Sequence, residues 1–550
     1  MHSFKLSFLL LLSPLLLVAQ TKKSVQRTMP DRPKLVVGIV VDQMRYDFLF
    51  RYSEKYGKGG FKRLLGEGFN CAYTHYNYMP TITAPGHTSI YTGSVPAIHG
   101  IAGNDWFDRS LGREVYCTED TSVVTAGGNP SPAGRMSPRN VLASTITDQL
   151  KIATNFKSKV IGVSQKDRGA IIPAGHTADG AYWFDSRDGS FITSTFYMKD
   201  VPQWVKNFNA KKLANKYLEK PWTTLLPIEQ YTESTADDMP YEQPIPGEKK
   251  PVFPHEVGGT FQGFYENFRK TPFGNSITKD FALEALKNEK LGKGSVTDFL
   301  AVSFSSTDYV GHSFGPNSIE TEDTYLRLDK DIEELLTFLD SWVGKDNVLV
   351  FLSADHGVAD VWGFSNEHHI AAGSLDKVTV KARNVLNKAY GEADWIQYYG
   401  NYQLYLNPEV MKAKKLTYSD VYPMLRDSIV QMKGVANFIN LHSLEAVSMN
   451  DNQAYFVKNG YHPRRGGDFM LVSEPGWQDG YTKAGTGHGT LYNYDSHVPC
   501  LFYGWKIPHG RTGASTYVAD IAATVSYLLD ILEPSGCVGK PVLDMVGQIK

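Results

Sequence analysis

Five short, largely apolar runs punctuate this chain, Leu35–Val41, Val160–Val163, Phe299–Phe304, Val348–Leu352 and Val498–Tyr503, and the first four stop abruptly at polar residues. Runs of this length, rich in β-branched residues, mark strands buried on both faces. Apolar residues at helical spacing lie between them, at 61–65, 140–150, 278–291 and 517–532. The longest such stretch, Glu320–Val343, turns Leu326, Leu328, Ile332, Leu335, Leu336 and Leu339 inward. Strand and helix alternating at this spacing predict an α/β fold, a mainly parallel sheet with helices on both faces.

Two stretches break the rhythm. From about 169 to 275, aromatics, prolines and charges mix without periodicity, which reads as an insertion capping or bordering a site. A second insertion, 362–479, holds the strand-like Tyr402–Leu406 and Phe469–Val472 around the helix-like Tyr418–Met432, the makings of a small α+β lobe. Met79–Gly93 is different again, a turn rich in Pro, Thr and Gly that runs into a short helix. Pro85 suits a first helical position because it has no N–H to leave unpaired. That puts Thr83 at or just before a helix N-terminus, where backbone N–H groups favour anions and where threonine ordinarily serves only as a cap.

Lys5 followed by the apolar run Leu6–Val18, interrupted by Ser7, Ser13 and Pro14 and closed by Ala19, reads as a signal peptide over 1–19. The run is short for a membrane span, and no cysteine follows it to carry a lipid. Residues 20–34 read as a linker, and 35–550 as one catalytic domain with the two insertions. A periplasmic or secreted protein without a stable membrane anchor is expected. The 56 basic and 58 acidic residues leave no basic footprint for nucleic acid. Four cysteines allow two disulfides in three connectivities, and the local pairing Cys71–Cys117 with Cys500–Cys537 is preferred.

The polar residues that end the runs carry the chemistry. Asp42 follows the first strand, Lys166 and Arg168 the second, Asp308 with His312 the third, and Asp355 with His356 the fourth. Carboxyl ends of parallel strands share one rim, where ligands bind. Aspartate and neutral imidazole suit zinc, and with one further histidine the set supplies two three-ligand sites. A threonine hydroxyl completing one of them would ionise far more readily than a free alcohol.

The segments VVDQMR, PTITAPGHTSIYTG, HGIAGNDWFD, STDYVGH, SADHG and GTGHGT together resemble the alkaline phosphatase superfamily. The likeness is to its nucleotide pyrophosphatase/phosphodiesterase branch and to its phosphate-irrepressible periplasmic phosphatases with a threonine nucleophile. The resemblance implies an alkaline-phosphatase-like core in which Asp308, His312 and His488 hold one zinc. Asp42, Asp355, His356 and the Thr83 oxygen would hold a second. Thr83 would attack phosphorus to form a phosphothreonine, and Asn104 would donate to a phosphoryl oxygen.

In SQKDRGAI, alternation along an extended segment would put Lys166 and Arg168 on one side. Two such cations favour the more highly charged monoester and resemble the family's monoesterases, which use them in place of a third metal. The expectation is an exported two-zinc alkaline phosphatase acting on small phosphate monoesters. The alternatives are a nucleotide pyrophosphatase/phosphodiesterase on the same scaffold and a non-catalytic metal-containing envelope protein. A sulfatase is disfavoured because position 83 is threonine. His87 is read as structural or supporting, His497 as able to brace the His488 loop, and His368 and His369 as solvated.

Overall fold

The computed structural model describes residues 31–257, 263–446, 451–480 and 483–549. The expected signal peptide and most of the linker lie outside these residues. In chain order the main-sheet strands are β1 (Leu35–Val41), β2 (Phe69–His75), β3 (Thr125–Ala126), β4 (Val160–Ser164), β5 (Gly180–Asp185), β6 (Ser190–Ser194), β7 (Asp298–Phe304) and β8 (Val348–Ser353). Four strands of a separate lobe follow, β9 (Ile396–Gly400), β10 (Gln403–Leu406), β11 (Val435–Asn440) and β12 (Phe469–Ser473). The main sheet then closes with β13 (Cys500–Gly504) and β14 (Gly510–Tyr517).

The large sheet runs β14-β2-β13-β8-β1-β7-β4-β5-β6-β3. Its middle, from β8 through β5, is parallel, while β13 and β6 join it antiparallel. All residues of β1, β7 and β8 are buried, the two-sided cover their apolar runs require.

Register places the chemistry. Val40 pairs with Ser353 on one side and Ser303 on the other, and Ser303 pairs with Ser164. Four strand ends therefore finish on one line. Asp42, Asp355 and Lys166 each stand two residues beyond it.

Helix α1 (Thr83–Thr92) is buried along its whole length. It approaches β1 closely because Gly38 has no side chain; a Cβ there would strike the Tyr91 hydroxyl and the Phe351 ring. Helix α2 (Ile146–Ala153) begins later than the periodicity predicts, since Thr145 and Asp148 form a reciprocal capping box. Helix α3 (Asp167–Ala174) follows β4 at once, so Lys166 and Arg168 do not sit on an extended segment. The expected alternation fails because a parallel strand turns directly into its crossover helix.

Helix α4 (Phe273–Glu289), α5 (Ser306–Phe314) and α6 (Ile319–Trp342) complete that half of the core. Residues 169–275 are not wholly an insertion, because α3, β5 and β6 belong to the main body. The lobe pairs its strands in the order β9-β10-β12-β11 and has its own core around Leu404, Phe438 and Phe469.

All four cysteines are free thiols. The preferred local pairing is not formed. The β2–β13 register sets Cys71 opposite Cys500, and their sulfurs share a hydrogen bond, while Cys537 lies against Gly93. Sequence neighbours lose here to strand neighbours.

The irregular segment before α4 is fastened to α6 through a buried histidine. His255 Nδ1 lies 3.1 Å from Glu248 and its Nε2 3.2 Å from Glu320, the second residue of α6. Burial opposes charge on the ring, but the hydrogen bonds it donates to Glu248 and Glu320 outweigh it and raise His255 to about 9. A group raised in the folded state contributes stability that is complete below its unfolded value near 6.5 and is lost as pH climbs through 9. Stability of the native sequence to denaturant should therefore fall between pH 6.5 and 9, by at most about 3 kcal/mol from this group. His255→Gln should be less stable at pH 6.5 and show a flatter profile. Parallel pH profiles for the two proteins would contradict the assignment.

Candidate active site

The two predicted ligand groups assemble. Asp308, His312 and His488 bring one potential ligand atom each within 4.8 Å of one another, and so do Asp42, Asp355 and His356. Asp308 and His312 come together because α5 is a helix, where residues four apart share a face. His488 arrives from the loop after the lobe, in GTGHGT, where Gly485 and Gly489 take positive φ values of 77° and 118°.

The imidazoles are set up as ligands. Nδ1 of His312, His356 and His488 lies 2.7, 2.9 and 2.8 Å from the backbone oxygens of Thr486, Gly357 and Thr81 respectively. A carbonyl only accepts, so each Nδ1 carries the proton and each Nε2 turns a lone pair toward the carboxylates. The His356 and His488 rings stack with centroids 3.5 Å apart. Burial holds both below the usual histidine range, and His356 beside His488 pushes the latter further down. Two imidazoles this close are held neutral, the form that binds metal.

The carboxylates need cations. Asp42, Asp308 and Asp355 are all at least 96% buried. Burial, then Asp308 and Asp355, push Asp42 well above the ordinary carboxylate range. Neither of its oxygens accepts a well-directed hydrogen bond. The ammonium of Lys166 stands between the groups, 2.7 Å from Asp42 and 2.6 Å from Asp308. Three buried carboxylates against one ammonium leave an excess of negative charge, so that, although burial opposes it, His312 is raised by Asp308, and all of the donors are oxygen or nitrogen. This set fits divalent cations.

Thr83 is the first residue of α1, with Ile82 in the capping position, and its hydroxyl makes no cap bond. Instead Oγ1 lies 3.4 Å from His356 Nε2, at the edge of the second ligand group. The helix terminus offers few N–H groups of its own: Pro85 has none, Gly86 N–H is given to Ile82 and Ala84 N–H to Asn104 Oδ1. An anion here must be met mainly by side chains. Asn104, its oxygen engaged, has its amide hydrogens to offer. A hairpin, Asp105–Asp108 with Arg113–Tyr116, pairs Asp105 with Tyr116 and so brings Asn104 and Tyr116 together at its open end. The Tyr116 hydroxyl accepts from Arg168 Nη1 at 2.9 Å and donates to Asp167 at 2.6 Å, which steadies the guanidinium.

Sequence reasoning passed over Gln43. Its backbone N–H donates to Asp355 Oδ1 at 3.1 Å and its Nε2 to Asp308 Oδ1 at 2.8 Å, one bond to each ligand group. It does this from a left-handed backbone with φ of 64°, uncommon for a non-glycine residue. Gly311 of α5 must be glycine, since a Cβ would strike the Gln43 amide oxygen. Adjacency to Asp42 in VVDQMR was the available signal.

His87 supports the site as well, with Nδ1 3.0 Å from Thr83 O and 3.3 Å from Asp355 Oδ2, and Nε2 2.9 Å from Ser303 Oγ. Gly86 lets this turn lie against the Asp355 backbone. His497 does not brace the His488 loop; it stacks on His75 and Tyr46. His368 and His369 are exposed.

Residues 36–497 match the family profile "Type I phosphodiesterase / nucleotide pyrophosphatase". The chain is 49% identical to alkaline phosphatase PhoV of Synechococcus elongatus over 96% of each protein. It is 47% identical to alkaline phosphatase PafA of Elizabethkingia meningoseptica, over 94% of this chain and 95% of the relative. The crystal structure of wild-type PafA superposes with a TM-score of 0.91 at 46% identity, covering 94% of this chain and all of that one.

Gln43→Gly keeps the backbone free to hold φ near 64° while deleting the tie to Asp308. Zinc affinity, measured by competition with a chromogenic chelator, should fall by roughly ten- to a hundredfold with the fold intact. An unchanged affinity would show that Gln43 does not position the ligands.

Proposed function

The chain belongs to the type I phosphodiesterase / nucleotide pyrophosphatase family and is an alkaline phosphatase; from that premise we propose that it hydrolyses small phosphate monoesters through a phosphothreonine on Thr83. The carrying observation is the Thr83 hydroxyl at the edge of the Asp42–Asp355–His356 group, buried and unused as a cap. The proposed setting is periplasmic or secreted, on the strength of the signal-like run before Ala19.

Two zinc ions, one held by Asp308, His312 and His488 and the other by Asp42, Asp355, His356 and Thr83, would supply the Lewis acidity that makes hydroxyls ionise near neutral pH. The remaining work falls to the chain. Thr83 Oγ forms a bond to phosphorus as the ester P–O bond breaks and the alcohol departs. Water then attacks phosphorus, the P–Oγ bond breaks, and inorganic phosphate leaves with the threonine hydroxyl restored. Asn104 donates through Nδ2 to a non-bridging oxygen. Lys166 and Arg168 meet the other phosphoryl oxygens, the first as a point charge and the second through its planar fork. His87 holds Thr83 and Asp355 in mutual register.

Lys166 and Arg168 favour monoesters over the diesters of the alternative reading, because a monoester presents two negative charges where a diester presents one. Two solved forms of PafA match this chain, and the four residue types replaced in the second, Thr, Asn, Lys and Arg, are spaced as Thr83, Asn104, Lys166 and Arg168 are. That correspondence supports the four roles.

Thr83→Ala removes the covalent route and should lower kcat for a phenyl phosphate monoester by about 10³-fold or more. Turnover near that of the native enzyme would refute the nucleophile. Lys166→Ala and Arg168→Ala should depress kcat/KM for the monoester at least about tenfold more than for its methyl diester. Equal losses on both would return the enzyme to the phosphodiesterase reading.

A further inference from the structure

Beside the phosphoryl-binding cations lies a cavity of about 360 Å³ whose walls include neither Thr83 nor Asn104. Four cationic residues line it, Lys166, Arg168, Arg187 and Arg269, against two carboxylates, Asp167 and Asp185. The carboxylates are already engaged. Asp167 accepts from the Tyr116 hydroxyl, and Asp185 is paired with Arg187. Arg269 contacts the exposed Glu266 at 3.1 Å and lays its guanidinium 4.4 Å from the centre of the Tyr309 ring.

The lining also holds donors without acceptors. Arg168 Nε, Arg269 Nε and Gln165 Nε2 are buried and make no hydrogen bond. Buried donors left without partners behind a wall of four cations add to its positive potential, which favours an anion in the cavity.

The cavity is coupled to the reaction centre through Tyr309. That residue follows Asp308, and its ring lies 5.0 Å from Lys166 Nζ on its way to Arg269. The two cations are therefore under about 10 Å apart, within the span of two phosphates on one small molecule.

We propose that this cavity is a second anion subsite, and that the enzyme selects phosphate monoesters whose leaving group carries a second phosphate. This rests on the monoesterase reading above and names the substrate class it favours. Arg269 and Arg187 receive the second phosphate through charge-assisted hydrogen bonds, while Lys166 and Arg168 hold the first at Thr83. Because the second phosphate stays bound alike before and during the reaction, its contribution enters through KM and leaves kcat nearly unchanged.

Butane-1,4-diol bisphosphate and 4-hydroxybutyl phosphate make the test, since they differ only in the distal phosphate. The native enzyme should show a KM about tenfold lower for the bisphosphate at low salt, an advantage that shrinks at high salt. Arg269→Gln should collapse the KM ratio toward one. Should that variant fail to fold, Arg187→Gln, on an exposed side chain of the same cavity, should reduce the ratio. Equal KM values for the two esters in the native enzyme would overturn the subsite, as would a ratio untouched by substitution. Failure of the native enzyme to hydrolyse either ester would instead overturn the monoesterase reading itself.

Discussion

Three aspartates buried at the end of one sheet set the terms for everything around them. Asp42, Asp308 and Asp355 stand where β1, β7 and β8 finish in line, too close together and too far from water to carry their charges unaided. The parallel sheet makes the convergence unavoidable, since strands in register deliver the residues beyond their ends to one small volume. Lys166 is the permanent answer, an ammonium touching carboxylates of both groups. Gln43 is the geometric one, fastening both groups from a strained backbone. The three imidazoles complete it, each with its Nδ1 set against a backbone carbonyl and two of them, His356 and His488, held neutral by burial.

Apolar run lengths and the residues ending them were enough to locate the sheet and its functional rim, because a strand buried on both faces has no other way to be written. Asp42, Asp308, His312, Asp355 and His356 could be named from that rule, and their assembly into two groups follows from it. Local geometry was less legible. Lys166 and Arg168 were placed on an extended segment, yet the chain enters α3 directly after Lys166, a choice made by the crossover and not by alternation. Thr83 does stand at a helix N-terminus as expected, but Pro85, expected at the first helical position, is the third residue of α1. Gln43 and Tyr116 were missed for a different reason. Each acts through one or two hydrogen bonds to a residue distant in sequence, and no spacing announces such a bond. The cysteines fell to the same limit, since the β2–β13 register that joins Cys71 to Cys500 cannot be read from their positions along the chain.

The lobe of β9–β12 looks peripheral, but it anchors both sides of the site. Met79, at the start of the turn that carries Thr83, packs into the lobe core, and the chain leaving the lobe supplies His488. His488 then returns a hydrogen bond to Thr81, two residues before Thr83. The position of Thr83 and the orientation of one ligand imidazole are thus tied through a single backbone carbonyl. Disturbing the seat of the lobe would move Thr83 and His488 together, so a segment with no chemical motif of its own bears on the geometry of the site.

Charge gives the proposed monoester preference its simplest physical ground. The three aspartates and Lys166 sum to minus two when the imidazoles are neutral, as metal binding requires, and Arg168 is balanced by Asp167 next to it. Two divalent cations in the groups that fit them would bring the site to plus two. A monoester dianion then neutralises it, whereas a diester leaves one positive charge buried and unanswered. Replacing Lys166 by a neutral residue would shift that balance toward the diester without moving any ligand. On this argument the lysine beyond β4, more than the metal ligands common to both readings, separates a monoesterase from a phosphodiesterase built on the same sheet.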